Sequence, residues 1–342
     1  HSLKVTLLCN ELEKTIGIKL KLSEIFALST PKRIAERIGS LQYDSFSEIP
    51  KIAKAEFYPM SSVQKRLYLL NEIVGPSISY NISNVIKYEN TLDKEQLQGA
   101  LDKLLEREEV LRTSFHLING EPVQVIQPDA RVVLEYKEAD TLDIQDEYDR
   151  FVCPFDLSKA PLMRVKLLQT PQASYLMLDI HHIVSDGESL PIMMNWISEL
   201  YEGNTLSMPR VHYKDFSAWQ MTQDITKQAA YWKNEFSGEI PILNLNTDFQ
   251  RPKKKSFNGA DVKTKIEEPV FMEIKELAKK HGATEFMIML STFMLLLSKY
   301  SQQEEIIVGT PVSGRTHVDT QDMLGMFVNS LAIKGNVKQE ES

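Results

Sequence analysis

The run Leu178-Asp179-Ile180-His181-His182-Ile183-Val184-Ser185-Asp186-Gly187-Glu188-Ser189 decides the reading of this chain. Two adjacent imidazoles, a carboxylate four residues after the second and a glycine beside it make the pattern HHxxxDG. Chance gives such a pattern on the order of once in a few thousand chains of this length. Before it, Tyr175-Leu176-Met177-Leu178 is an apolar run short enough for a buried strand. After it, Leu190, Met193, Met194, Ile197 and Leu200 recur at helical spacing, with Pro191 tolerable in the first turn. The motif therefore occupies a strand-to-helix loop, where backbone NH groups and a helix N-terminus face whatever the histidines face. The pattern points to acyl transfer.

Other readings of the histidines are weaker. Taken singly, His116, His212, His281 and His317 read as hydrogen-bonded core residues. Zinc competes for the His181-His182 pair, since imidazole and carboxylate are common ligands. Adjacent side chains at a strand end point to opposite sides, however, so only one histidine faces a given site. The sequence holds no HExxH and no paired CxxC, and no metal is expected.

Further motifs follow in order along the chain. Pro59-Met60-Ser61-Ser62-Val63-Gln64-Lys65-Arg66-Leu67-Tyr68-Leu69-Leu70 is similar to SxAQxRLYxL, with Val63 in place of alanine. Arg107-Glu108-Glu109-Val110-Leu111-Arg112-Thr113-Ser114-Phe115 is similar to RHExLRTxF, with Glu108 in the histidine place. Tyr213-Lys214-Asp215-Phe216-Ser217-Ala218-Trp219 is similar to YxDFAxW. Val308-Gly309-Thr310-Pro311-Val312-Ser313-Gly314-Arg315 and Leu324-Gly325-Met326-Phe327-Val328-Asn329-Ser330 complete the order. On these residues the chain resembles the condensation domain of a nonribosomal peptide synthetase. Several motifs in sequence are far more specific than any one. The resemblance implies an α/β fold of two chloramphenicol acetyltransferase-like sandwich lobes in a V, with the active site at their junction. The family's remaining C-terminal motifs do not follow before Ser342, so the second lobe is expected only in part.

The opening residues carry a separate resemblance. His1-Ser2-Leu3-Lys4 looks like the second half of the carrier motif GGHSLK, which implies that Ser2 takes a covalent 4′-phosphopantetheine arm. A serine at a helix head suits that chemistry, because the hydroxyl is accessible and the helix N-terminus favours the phosphodiester formed on it. Val5, Leu8 and Leu12 give that helix an apolar stripe, Leu22 to Phe26 reads as a second short helix, and Pro31 starts a third through Ile38.

Composition suits a large cytoplasmic enzyme fragment. The 342 residues support more than one core, and the net charge of −8 is spread out with no basic tract for nucleic acid or an anionic membrane. Lys253-Lys254-Lys255 reads as a solvated loop. Two cysteines, Cys9 and Cys153, are too few for a disulfide framework. The apolar helix Phe286 to Tyr300 is shorter than the roughly 20 residues that cross a bilayer and reads as a core helix. The expected organisation is a helical carrier remnant at 1–38, a linker at 39–57, an N-lobe at 58–204, and a connecting region with a partial C-lobe at 205–342. Within it, a helix is expected from Asp93 to Arg107, a strand from Leu111 to Phe115, helices near Val270–His281 and Glu285–Tyr300, and a strand from Glu305 to Gly309.

The function implied is peptide-bond formation between upstream and downstream carrier-bound substrates. An adenylation domain in the same assembly line and a phosphopantetheinyl transferase are the further partners. A thioester is already activated and an α-amine has an ordinary pKa near 8, so the demand falls on positioning and oxyanion stabilisation. His182 is the central group, either general base or orienter of the amine. Gly187 is expected to bring its backbone NH near the reacting centre, with Ser189 a weaker candidate. His181 and Asp186 hold the loop, and Asn329 supports it. Asp186 is expected to be buried between the lobes and paired with Arg315, otherwise with Arg112, because a planar guanidinium grips a carboxylate at two places. Two other classes remain: an epimerisation domain, which shares HHxxxDG but has a different opening motif, and a noncatalytic docking or scaffold domain of the same fold.

Overall fold

A strand that ends at His181 must be covered on both faces, because seven of its eight residues are buried. The computed structural model supplies that cover; it describes residues 5, 8, 9, 11, 12, 15–18, 20, 22–39, 48–252 and 259–338. Ser2 and Lys253-Lys254-Lys255 lie outside the described residues. The carrier-like segment forms helices α1, Leu22–Leu28, and α2, Pro31–Gly39. Then follow β1, Tyr58–Pro59; α3, Ser62–Val74; β2, Asn81–Tyr88; and α4, Lys94–Arg107. Next come β3, Thr113–Ile118; β4, Glu121–Ile126; β5, Glu135–Glu138; α5, Ile144–Phe151; β6, Met163–Gln169; and β7, Ser174–His181. Helices α6, Ser189–Tyr201, and α7, Tyr213–Met221, complete the first half. The chain continues through α8, Thr226–Glu235; α9, Glu268–Lys280; α10, Glu285–Ser301; β8, Glu305–Val312; and β9, Asn329–Asn336.

The chain divides into two compact units. One comprises residues 8–223 and 313–329, the other 1–7, 224–312 and 330–342. In the larger unit, β7 lies between β2 and β6 in a sheet of order β2-β7-β6-β5, antiparallel except for the β5/β6 pair. Leu176, Leu178 and Ile180 of β7 point into the main core with Leu97, Leu101, Leu104 and Leu105 of α4 and Met193, Trp196 and Ile197 of α6. Their spacing of two on the strand and three to four on the helices is what one buried face of each element requires. Met177 points to the other side, into a smaller cluster with Phe151 of α5. A second sheet, β1-β4-β3, is antiparallel throughout.

Four expectations change. The strand expected from Leu111 begins at Thr113, because Glu109–Arg112 closes a one-turn 3-10 helix that buries Val110 and Leu111. The linker expected through Phe57 is not free at its end: Ile49 is fully buried in the main core. Residues 313–329, expected with the C-lobe, pack in the larger unit, since Phe327 meets the rings of Tyr213 and Phe216 at 5.0 and 4.8 Å. Helix α10, expected in a core, buries only Met294 and Ser298 among its described side chains, and Phe286, Met287, Phe293 and Tyr300 are exposed. Its neighbours in the smaller unit are α9 and β8.

Candidate active site

The two histidines leave β7 in opposite environments. His181 pairs with Asn81 of β2 in the ladder, and its backbone N–H donates to Leu162 O at 2.9 Å. Its side chain is buried, meets the edge of Phe155, and accepts the Ile183 N–H at Nδ1, 3.1 Å away. It thereby caps the single 3-10 turn His182–Val184. Because Nδ1 accepts, the neutral ring carries its proton on Nε2. Burial, reinforced by His182 alongside, pushes the His181 pKa down to about 4. The His181 ring is thus engaged with the backbone of the turn that follows it.

Behind His181, on the same sheet face, Asp179 is wholly buried. It accepts from Arg164 Nη1 at 2.7 Å, Ser83 Oγ at 2.8 Å and Asn81 Nδ2 at 3.0 Å. Burial raises its pKa against those three donors. The Arg164 guanidinium lies 3.6 Å over the Phe155 ring, so the pair props the ring on which His181 rests. Sequence reasoning passed over this cluster, although Asp179 lies two residues before His181 and period-two alternation puts both on one face.

His182 is half-buried, its backbone N–H donates to Tyr80 O at 2.8 Å, and its Nδ1 is a buried atom with no hydrogen-bond partner. The turn beneath it is fastened from α3. Gln64 Nε2 donates to Ile183 O at 3.0 Å, and Gln64 also closes a capping box with Ser61. Ser61 Oγ in turn lies 2.8 Å from the Tyr213 hydroxyl, which donates to Met326 O. The opening SSVQ motif and the later YKDF motif thus meet beneath the histidine turn.

Asp186 is fully buried, and among the described residues its carboxylate bonds to Ser189, Arg315 and Phe327. Oδ1 accepts from Ser189 N at 2.8 Å, Ser189 Oγ at 2.7 Å and Arg315 Nη2 at 3.0 Å, while Oδ2 accepts from Phe327 N at 3.1 Å. Arg315 is buried too; its Nη1 donates to the carbonyls of Thr320 and Met323, its Nε lies 3.4 Å from Glu188 Oε2, and its plane sits 4.1 Å over Phe327. The expected Asp186–Arg315 pair is present, but it lies inside the larger unit rather than between lobes. Arg112 does not reach Asp186. Its Nε donates to Leu105 O at 2.6 Å, holding the end of α4. Ser189 is no candidate for chemistry either, because its hydroxyl is occupied by Asp186, Arg315 and both backbone groups of Gly325.

Gly187 is exposed, and a Cβ there would meet nothing within 4 Å, so packing in the chain does not explain the glycine. Gly325 is the opposite case. Its φ is +154°, and a Cβ would lie 2.0 Å from Cδ2 of Tyr213. Asn329 Oδ1 accepts from Arg66 Nη1 at 3.0 Å, tying the last motif to the first. Among the described residues no group of three or more His, Cys, Asp and Glu side chains is placed to hold a metal ion.

The order of these motifs and their convergence around one histidine turn match a known family. The condensation-domain family model fits residues 54–342, and the phosphopantetheine attachment-site model fits residues 1–38. The chain belongs to the condensation-domain family. It is 40% identical over 339 residues to gramicidin S synthase 2 of Aneurinibacillus migulanus, covering 98% of this chain and 8% of that synthase. The condensation fold is also found in solved structures. The X-domain from teicoplanin biosynthesis superposes with a TM-score of 0.77 at 21% identity, covering 86% of this chain and 69% of that one. The first condensation domain of the calcium-dependent antibiotic synthetase, solved with a substrate analogue, gives 0.66 at 19%, covering 84% and 72%.

Proposed function

We propose that this condensation domain forms a peptide bond between two carrier-bound substrates in a nonribosomal peptide synthetase. The observation that carries the reading is the contrast between the imidazoles. His181 is buried, neutral and committed to a backbone N–H, whereas His182 is partly open and its Nδ1 is unclaimed. The serine hydroxyl expected at Ser2 suits attachment of a phosphopantetheine arm, which holds an acyl group as a thioester.

In the reaction, the amine nitrogen of the downstream aminoacyl group attacks the upstream thioester carbonyl. The C–N bond forms, the C–S bond breaks, the amine loses a proton and the departing thiolate gains one. His182 orients the amine and takes up its proton. The bare Gly187 leaves room for the reactants and its N–H for the developing oxyanion. The Asp186–Arg315 network keeps the loop from moving while this happens. The carrier upstream serves as donor, loaded by an adenylation domain after a phosphopantetheinyl transferase has modified Ser2.

The test uses a synthetase containing this chain between loaded carriers, with the bound product read by mass spectrometry. His182→Ala should lose at least about a hundredfold in dipeptidyl thioester formation, the low end of what a positioned acid–base group contributes. Near wild-type product from that variant removes His182 from the mechanism.

A further inference from the structure

We propose that Asp319 is a positioning residue for the Asp186 loop, set in place by residues 49–52 of the segment that joins the carrier-like helices to the condensation fold. The proposal rests on the role given above to that loop. Ile49 is fully buried, and its backbone is gripped on both sides: its N–H donates to Asp319 Oδ2 at 2.9 Å and its carbonyl accepts from Arg210 Nη1 at 3.0 Å. Arg210 closes the ring by pairing through Nη2 with the same Asp319 carboxylate, and Nη1 lies 3.3 Å from Glu48. Three residues on, the Ile52 N–H donates at 2.9 Å to Asp215, a buried carboxylate whose other oxygen takes the His212 N–H at 2.7 Å. Charge-assisted bonds of this kind are about twice as strong as neutral ones. A connecting segment fixed at two amides by two carboxylates is part of the fold.

What Asp319 touches next gives it a role beyond anchoring. It belongs to the single turn Val318–Thr320, capped by His317 Nδ1 on the Asp319 N–H at 3.1 Å. The following residue, Thr320, is fully buried, and its carbonyl accepts from Arg315 Nη1. The other end of that guanidinium holds Asp186 at 3.0 Å. From the Ile49 amide to the Asp186 carboxylate there is thus an unbroken path: the Asp319 carboxylate, one peptide unit, the Thr320 carbonyl and the Arg315 plane. Guanidinium is rigid and planar, so displacing the carbonyl at one end tilts the donors at the other. Rotation of the 318–320 turn therefore moves the carboxylate that caps α6 and holds Ser189.

Hydrogen exchange on this chain tests the path without substrate, since exchange reports local opening segment by segment. In Asp319→Ala, exchange should accelerate at least about fivefold, a fall of roughly 1 kcal/mol in the local opening free energy, in peptides covering residues 48–57. It should also do so in those carrying the Ser189, Leu190 and Phe327 amides, with the β2/β7 ladder unchanged. Asp319→Asn keeps an oxygen for the Ile49 amide and should recover most of the protection; it also serves if the alanine variant opens throughout. Acceleration confined to residues 48–57 and 316–321 overturns the proposal.

In a loaded synthetase, Asp319→Ala should lower kcat about tenfold with the KM for the acceptor carrier unchanged, and Asp319→Asn should restore it. Unaltered kcat in both variants also overturns the positioning role. An inactive wild-type synthetase with the exchange pattern intact would instead remove the condensation reading and leave the path standing.

Discussion

Asp186 shows how far a single residue can be read. Its partner was legible because the family resemblance brings the motif of Arg315 toward the histidine loop and a planar guanidinium suits a buried carboxylate; that motif also carries two glycines, Gly309 and Gly314. Gly314, at φ +71°, has Phe327 O 2.0 Å from where its Cβ would be, so only glycine lets this backbone turn against Phe327. Arg112 was the second choice in sequence, and nothing in its spacing says that it holds the end of α4 instead. Asp186→Ala leaves the buried Arg315 guanidinium with only the partly exposed Glu188, 3.4 Å from its Nε, as a counter-ion, a loss of up to roughly 3–5 kcal/mol. Asp186→Asn keeps the oxygen that accepts from Phe327 and should cost less. Denaturant unfolding and condensation rate, measured together on both variants, check the assignment. Full stability with a lost rate in Asp186→Asn would mean that the carboxylate takes part in the chemistry.

Elements were legible where one periodicity dominated. β7 was legible as the short apolar run Tyr175–Leu178, α6 from the recurrence of Leu190, Met193, Met194, Ile197 and Leu200, and α4 from Leu97, Leu101, Leu104 and Leu105; the Asp93 cap of α4 appears only in the structure. The 3-10 turn at Glu109–Arg112 was not, because four residues carry too little period to distinguish it from a strand. Glu108 is a related case: buried beside Arg107, it has its pKa raised by burial to about 7 despite that cation. How elements are pinned to each other was invisible, since Ile49, Tyr213, Gly325 and Phe327 are joined only by folding. Gly325→Ala tests that pinning. The added methyl must displace the Tyr213 ring or the 323–327 segment, at about 1–3 kcal/mol for overpacking. A lower melting temperature, together with weaker protection of the Phe327 amide, is the expected outcome. An unchanged melting temperature would mean that the ring yields freely.

At the scale of the molecule, the two family matches at 1–38 and 54–342 and the two compact units cut the chain differently. Motif order revealed the first division, and long-range packing of residues 313–329 produced the second. Acid stability belongs to this scale. His181 has its pKa lowered from 6.5 to about 4. Between those values the unfolded chain binds a proton that the folded one refuses. The contribution is therefore complete above pH 6.5 and is lost as pH falls toward 4, to a total of roughly 3 kcal/mol. Glu147, held to about 2 by its hydrogen bonds to Lys137 and Lys166, loses its share lower still, as pH falls from 4.5 through 2. Denaturant unfolding at pH 7 and pH 4.5 should show the first loss, and His181→Gln should flatten it. An equally steep pH dependence in that variant would assign the loss to other groups.

The open face of α10 has a practical consequence for anyone measuring those stabilities. Phe286, Met287, Phe293, Leu296 and Tyr300 offer a hydrophobic dye a docking surface before any unfolding begins. A dye-based melt of this chain should start bright and brighten little, so that its inflection understates the cooperative transition. Circular dichroism at 222 nm follows the helices themselves and carries no such background. The two traces should diverge for the native chain and converge once Phe286 and Phe293 are replaced by glutamate. Coincident traces from the unaltered chain would mean that this face is covered in solution.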